Sequence, residues 1–331
     1  MTIDRANHRH YTPAMTTNGL TFPIIHQDHY LLIVNKPAGL VVHPTYKHAD
    51  DTMWDMLLAY LERQGGDDWQ PPELPDEPQW AGAPPDIQIM LRERRRQRLW
   101  KEEGLLPRPS LLHRIDKDTS GVVALARSEN SRRHIIRQFH DHTIIKRYLA
   151  VVRQRAYDWS LPRAPLSVIE RAKGNEMALQ NVEVALLAGK EMVIEGTLQR
   201  DPDDRRRCIV GPEGQAATTM LRALTRTENG EFMLLEARPI TGRTHQIRAH
   251  LAALGYTLVG DQVYAPPAET GTAAAMLRRQ FLHAYSLTLH RYPDNVLCTF
   301  VAPLADDLAS WLSSYFPAAL EVIHADSSLP A

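Results

Sequence analysis

A lone carboxylate, Asp116, sits in the stretch "LLHRIDKDTSGVVALARS" (Leu111 to Ser128), between two apolar runs that both suit burial. His113 and Arg114 precede it, and Lys117, Asp118, Thr119, Ser120 and Gly121 follow. Thr119, Ser120 and Gly121 favour a tight loop whose hydroxyls and amides fasten the backbone. A carboxylate displayed from the edge of such a loop can serve as a nucleophile or a general base. The plainer use of an aspartate beside Thr-Ser-Gly is to cap the turn, and Asp118 is the better placed of the two for that.

A second polar knot is "RPITGRTHQIRAHLAALG", Arg238 to Gly255. Gly242 precedes an expected helix whose first turn carries Arg243, Thr244, His245 and Gln246. A helix N-terminus favours anions, and Arg243 adds a planar donor fork. Such a group holds a carboxylate ionised or grips a phosphate; a structural ion pair is the alternative. His245 and His250 do not share a helical face, and no nearby cysteine or carboxylate completes a ligand set, so no metal site is expected. Two weaker signals remain. "IIKRYLAVV" puts Tyr148 at a strand start beside Lys146 and Arg147, where a tyrosine is ordinarily a core or edge residue. "NKPAGLVVHP" puts Lys36 and His43 around a Pro-Ala-Gly turn that shapes backbone and lacks the glycine-rich cradle of a phosphate loop.

The elements that must position these residues read as follows. Two short strands, Leu31–Val34 and Leu40–Val42, flank the Asn-Lys-Pro-Ala-Gly turn. "DTMWDMLLAYLERQGG" is a helix that Thr52 can cap and Gly65-Gly66 end. Six prolines between Pro71 and Pro85 exclude a long helix or a central strand. "IQIMLRERRRQRLWKEEG" follows as a basic helix. Its apolar stripe Ile87, Met90 and Leu91 continues into Arg94, Arg95 and Arg98, so three arginines project from one side where the helix leaves the core. "GVVALARS" is an apolar strand, and "ENSRRHIIRQFHDH" a helix with Ile135, Ile136 and Phe139 inward. "RYLAVV", "EMVIEGTLQR", "ATTMLRALTR" and "EFMLLEARP" are strands. A helix runs from after Gly242 to Leu254, and another covers about Asp306–Tyr315. Runs of strands with a few inserted helices predict an α+β fold around a mostly antiparallel sheet.

The chain has 331 residues, 44% of them hydrophobic and 23% charged, which suffices for a sizeable soluble core. No apolar run reaches the roughly 18–20 residues of a membrane span. The first residues lack the apolar segment of a signal peptide. Cys208 and Cys298 have no metal-like spacing, which fits free thiols in a reducing cytoplasm. The net charge of −1 conceals an asymmetry: Arg92 to Arg147 holds 15 Lys and Arg against 7 Asp and Glu, while Glu62 to Asp86 is acidic. A basic middle third can bind a polyanion despite a neutral total, though a solvated helix face would look the same.

Taken in order, "LLIVNKPAGLVVHP", "RPSLLHRIDKDTSGVVALARS", "KRYLAVV", "RPITGRTHQIRAHLAALG", "LVGDQVY" and "FLHAYSLTL" resemble the motifs of the RluA-type pseudouridine synthases, from about Ile24 to Leu312. "RDPDDRRRCIVGPEGQAATT" looks like the family's linking segment. The resemblance implies a mixed, mostly antiparallel sheet with flanking helices and a central active-site cleft. It implies conversion of uridine to pseudouridine in ribosomal or transfer RNA, without metal or organic cofactor, and no obligate protein partner. His113-Arg114-Ile115-Asp116 matches the family's His-Arg-Leu-Asp motif, with a volume-conserving isoleucine for leucine. By resemblance, Asp116 is the essential carboxylate and Arg114 fills the space of the flipped nucleotide. Tyr148 stacks on the uracil and is a candidate proton acceptor, and Arg243 pairs with Asp116. His113 and Thr119 are further candidate substrate contacts.

The expected organisation is an N-terminal tail over 1–20, a catalytic domain over 21–320 and a C-terminal tail over 321–331. A proline-rich and basic insertion occupies about 67–106. Many relatives begin with a small RNA-binding domain, for which the leader leaves no room, so substrate grip is expected from the catalytic domain itself. Two other classes fit less well. An RNA-binding protein that has lost the chemistry would not need Asp116, Tyr148 and Arg243 together. A hydrolase using Asp116 with His113 or His245 lacks a serine or cysteine nucleophile in a suitable elbow.

Overall fold

The computed structural model describes residues 15–17, 20–43, 52–64, 80–103, 105–154, 166–176, 182–264 and 277–325. The first strands, β1 (Met15–Thr17) and β2 (Leu20–Phe22), form a separate antiparallel ribbon, so the expected N-terminal tail carries regular structure from Met15. Then come β3 (Ile24–Gln27), β4 (Leu31–Lys36), α1 (Met53–Gln64), α2 (Pro85–Glu103), β5 (Leu105–Leu111), β6 (Ser120–Ser128), α3 (Glu129–His140) and β7 (Ile145–Gln154). The second half holds β8 (Ser167–Glu170), β9 (Asn175–Glu176), α4 (Val182–Leu187), β10 (Met192–Arg200), β11 (Cys208–Val210), β12 (Gln215–Arg226), β13 (Phe232–Pro239) and α5 (Gln246–Ala253). It ends with β14 (Tyr256–Leu258), β15 (Leu282–His290), β16 (Leu297–Val301), α6 (Asp306–Tyr315) and α7 (Pro317–Ala325).

The main sheet runs β3-β4-β6-β15-β7-β13-β12-β10-β8-β9, with β5 on β6, β16 on β15, β14 on β7 and β11 on β10. Its described pairings are antiparallel except that of β6 with β15, which is parallel and short: His283 with Ser120 and Ala284 with Gly121. Beyond that contact β6 takes β5 as its neighbour instead, at Leu111–Leu125 and Ser110–Ala126. The sheet therefore forks at Gly121. Gly121 has φ +118°, and a Cβ there would collide with the Ala284 carbonyl, so only glycine allows the two strands this close.

Each side of the fork has its own apolar packing. Leu32, Val34, Val123 and Leu125 pack with Met53 and Leu57 of α1 on one side. Ala150, Val152, Leu235 and Ala237 pack with Ile247 and Leu251 of α5 on the other. Tyr148 touches both groups. Behind β7 and β13, Leu149, Val151 and Leu234 bury against Trp311, Leu312 and Phe316.

Several expectations change. β4 is longer than Leu31–Val34, and Leu40–Val42 joins no ladder. The Val41 and Val42 carbonyls instead accept the first amides of α1, from Met53 at 2.8 Å and Trp54 at 3.2 Å. Those amides lack partners inside the helix, and this use of the backbone displaces strand pairing. Thr52 caps the same turn together with Asp55. In α3, Ser128 is the cap and Ile135 is buried, but Ile136 is 38% exposed. α5 begins at Gln246 rather than at Arg243. The expected C-terminal tail is helical to Ala325, because Ala319 and Ile323 recur at helical spacing and bury against Trp311 and Phe316.

Of the expected insertion, residues 67–79 lie outside the described residues, and its basic segment is α2. Gln88 ties that helix back to the carbonyls of Trp80 and Ala83, and Arg95 stacks over the Trp80 ring at 5.5 Å. Ile87, Ile89 and Met90 stay exposed. Among the described residues no helix is long and apolar enough to cross a membrane.

Candidate active site

A cleft of about 940 Å³ opens at the fork, bordered by residues of the turn before β6, by Lys146 and Tyr148 of β7, and by the segment Pro239–Arg248. Asp116 stands on its wall with its side chain 25% exposed. The loop that carries it is fastened at several points. Thr119 N donates to Asp116 O at 3.1 Å and closes the turn. Lys36, fully buried, donates from Nζ to the carbonyls of Pro37, Leu40 and Lys117 at 2.8, 2.9 and 2.8 Å, one of them the residue after Asp116. Burial pushes that ammonium down to about 7, with Asp118 the largest opposing charge. Arg279 reaches Asp118 O and Ser120 Oγ, and its fork grips Asp307 of α6. The Lys-Pro-Ala-Gly turn thus shapes backbone, as the sequence suggests, and it does so underneath Asp116.

The arginine on Asp116 is Arg248, not Arg243. Arg248 Nη1 donates to Asp116 Oδ2 at 3.3 Å. Its Nε and Nη2 form a two-pronged contact with Asp261, both at 2.8 Å. Asp261, fully buried, also accepts from Val263 N and Tyr264 N at 2.9 and 3.1 Å. The guanidinium lies over the Tyr264 ring at 5.0 Å. Burial opposes the charge on Arg248, but the Asp261 bonds and both carboxylates outweigh it and hold the group firmly protonated. Arg243 instead donates from Nε to Ala216 O at 3.0 Å and is exposed at the cleft rim.

The cause is the start of α5. Gln246 Oε1 accepts from Thr241 Oγ1 at 2.6 Å and from Arg243 N at 3.0 Å. His245, at φ 54°, then turns the chain into the helix. Residues 243–245 therefore form a loop, and Arg248 is the arginine that the helix carries inward.

The other expected site residues divide. Tyr148 borders the cleft, paired across the sheet with Ala237 on one side and Ala284 on the other. Burial, and then the Asp116 charge, push its hydroxyl above the usual range, so it is neutral. Arg114 is exposed at the cleft. His113 borders the cleft too, but its Nε2 accepts from Ala124 N at 3.1 Å and its ring lies 5.3 Å from Phe139. Burial and Lys146 push it down to about 3, so it is a neutral wedge between the knot and β6. Thr119 is 1% exposed and accepts from Gln280 at 3.3 Å, a role in holding the loop. Lys146 donates to Thr241 O at 2.9 Å, and burial pushes it down to about 8. Among the described residues no group of three His, Cys, Asp or Glu could hold a metal ion.

Arg248, Asp261, Tyr264 and Lys36 are the members that sequence reasoning gave no site role. A signal existed for the first two: Arg248 lies between Ile247 and Ala249 of a short helix, and Asp261 follows Leu258-Val259-Gly260. Both are charges in apolar company, and such charges require partners.

The chain is similar to known proteins. The chain is 32% identical over 274 residues to an uncharacterised RNA pseudouridine synthase of Chloroflexus aurantiacus, covering 83% of this chain and 63% of that one. It is 29% identical over 294 residues to the ribosomal large subunit pseudouridine synthase D of Nitrosomonas europaea, covering 88% and 64%. The matches span a little under two thirds of these relatives' length. The solved structure of human RNA pseudouridylate synthase domain containing 4 shares the fold, with a TM-score of 0.51 at 21% identity over 88% of this chain and 91% of that one. The family model described as RNA pseudouridylate synthase matches residues 30–253, a span that holds Asp116, Tyr148 and Arg248 alike, and the chain belongs to that family, in its RluA-type branch.

Proposed function

We propose that the protein is an RNA pseudouridine synthase that isomerises particular uridines in ribosomal or transfer RNA, with Asp116 as the essential carboxylate. The observation that carries this reading is the carboxylate on the cleft wall, held by Arg248 Nη1 at 3.3 Å while Asp261 fixes the rest of the guanidinium. The reaction breaks the bond between the sugar and N1, turns the base, and joins C5 to the same sugar carbon. It neither oxidises nor reduces the nucleoside, so side chains suffice and neither metal nor organic cofactor is required. A stacked or paired uridine hides that bond, so the nucleotide must first be flipped out. Arg114, exposed at the cleft, suits the space it leaves. Tyr148 suits stacking on the uracil. Asp116 serves as nucleophile at the sugar or base, or as base at the 2′ position; each route uses its carboxylate form, against which Arg248 Nη1 is set.

The test uses purified protein with unmodified transcripts of bacterial large-subunit ribosomal RNA and transfer RNA, in a chelator. Pseudouridine is expected from the wild type and none from Asp116→Asn, which should still fold and bind RNA. Substantial product from the variant, or none from the wild type on either RNA, would sink the proposal.

A further inference from the structure

Asp116 has a second neighbour besides Arg248. His245 brings Nε2 to 3.9 Å from Asp116 Oδ2, with its side chain 16% exposed. The imidazole makes no capping bond to the helix that starts behind it, although His245 stands at the cap position. Its backbone φ of 54° is left-handed, a region disfavoured for residues with a Cβ. So the ring is held against the carboxylate by a backbone conformation that helix capping does not explain.

The proton on this ring follows from its other partner. Tyr264 donates its hydroxyl proton to Cys208 O at 2.8 Å and accepts from Cys208 N at 2.9 Å. Its oxygen keeps one acceptor position, and His245 Nδ1 lies 3.4 Å away. The shorter contact, to Cys208 O, takes the hydroxyl proton, which assigns Nδ1 the donor role in the longer one. A neutral imidazole carries a single proton, so Nε2 presents a bare lone pair. Burial holds the imidazole below its usual range against the opposing pull of Asp116, which keeps it neutral. The charged and titratable groups around it are Asp116, Arg248, Asp261, Arg200, Tyr264 and Cys208. A lone pair therefore faces the Asp116 carboxylate. Two acceptors 3.9 Å apart stand farther than a hydrogen bond and need to close by about 1 Å to seat one proton between them.

We propose that Asp116 and His245 share one proton during the reaction, His245 acting through Asp116 as a positioning and proton-holding partner. This rests on Asp116 being the essential carboxylate. Isomerisation breaks the C1′–N1 and C5–H bonds and forms the C1′–C5 and N1–H bonds. One proton leaves carbon and one reaches nitrogen, with none gained or lost overall. A proton that leaves C5 and reaches Asp116, directly or by way of the Tyr148 hydroxyl, enters the seat between Oδ2 and Nε2. It leaves when the nitrogen is protonated, and the pair ends as it began. Arg248 alone offers that proton no acceptor, since a guanidinium only donates. The neutral imidazole supplies the acceptor that makes the uptake reversible.

Two variants test this. His245→Gln keeps an amide near Nε2 that carries no transferable proton, and His245→Asn keeps a residue tolerant of left-handed backbone. The measurement is the single-turnover rate of pseudouridine formation across pH, on saturating unmodified ribosomal and transfer RNA transcripts. Both variants should fall on the order of 10²-fold in rate, the low end for lost acid–base assistance, with RNA affinity and melting temperature close to wild type. The acid limb should also move. In the wild type that limb marks the first proton taken by the pair, a property of both groups. Removing one acceptor makes that protonation harder, so the midpoint shifts to lower pH, which a merely structural role would not cause. A wild-type rate in both variants, or a slowed rate with an unmoved acid limb, overturns the shared proton. Asp116→Asn is assayed alongside. If it retains activity, the reading of Asp116 itself has failed; if it is inactive while His245→Gln is fully active, only the shared proton has.

Discussion

At the scale of single residues, the site is decided by which charge reaches Asp116. Arg248 makes three directed contacts at once, two to Asp261 and one to Asp116. Lysine conserves the charge and cannot reproduce that geometry. Arg248→Lys should therefore slow single-turnover pseudouridine formation by on the order of 10²-fold, through misplacement of Asp116. Arg243→Lys, measured alongside at saturating RNA, should keep close to the wild-type rate, since the Arg243 side chain bonds the Ala216 carbonyl and not Asp116; the reverse ranking would return the role to Arg243. Tyr148 carries a different argument. Its hydroxyl is held neutral by burial and the Asp116 charge. Such a group accepts a proton only while passing its own onward. Tyr148→Phe should keep RNA affinity and stall the reaction after the base has been rejoined, with rearranged, incompletely deprotonated product detectable by mass and chemical mapping. Unchanged turnover would leave stacking as the role of the ring. The roles expected for Asp116 and Tyr148 come from the family resemblance; on local sequence alone Tyr148 reads as an ordinary core or edge residue, and what the fold adds is that both border one cleft. The sequence does not choose between Arg243 and Arg248. Both lie in one motif, and the choice depends on where α5 begins and on a loop 132 positions away.

At the scale of elements, the strands were legible because their apolar runs are bounded by turn residues, and β6, β7, β10, β12 and β13 all lie where the sequence places them. The misses share a cause. Leu40–Val42 has strand composition, but its carbonyls go to the exposed amides of α1. Arg243–His245 look like a first helical turn, but the Gln246 side chain substitutes for one. Side-chain and backbone hydrogen bonds of this kind leave no periodic trace. Gly121 shows the opposite case, where one residue reports a whole arrangement. Its role in the sequence reading was a flexible loop hinge; in the fold it is the contact point of β6 with β15. Gly121→Ala combines a positive φ with a collision against Ala284 and should cost about 3 kcal/mol or more, at the upper end for single substitutions. Thermal unfolding measures the loss. Because the fork carries the loop of Asp116, activity well below the melting transition should fall as well. A variant with wild-type stability and rate would mean that the strands can part there without consequence.

At the scale of the whole molecule, a net charge of −1 must be reconciled with the polyanionic substrate proposed above. The cleft gathers Arg114, Lys117, Lys146, Arg200 and Arg243 from segments far apart in the chain, so the local field is cationic while the total is not. The basic helix α2 carries further arginines. Arg94 on it is exposed, whereas Arg95 is occupied over Trp80 and belongs to the packing of that helix. Arg98 follows one turn after Arg94. If α2 extends the cationic surface toward RNA, replacing Arg94 and Arg98 with alanine removes phosphate contacts while Arg95, which stacks on Trp80, is left unchanged. Each lost contact should lower the slope of log affinity against log salt by about 0.7 to 0.9. The double variant is therefore expected to bind RNA more weakly at low salt, with a flatter slope and an unchanged rate at saturation. Arg95→Ala serves as the contrast: it should lower stability by about 1 kcal/mol through the lost stack and have a smaller effect on the slope. Unchanged affinity and slope in the double variant would show that Glu93, Glu102 and Glu103 neutralise the segment or that the helix faces away from the RNA. The grip would then come from the cleft charges alone.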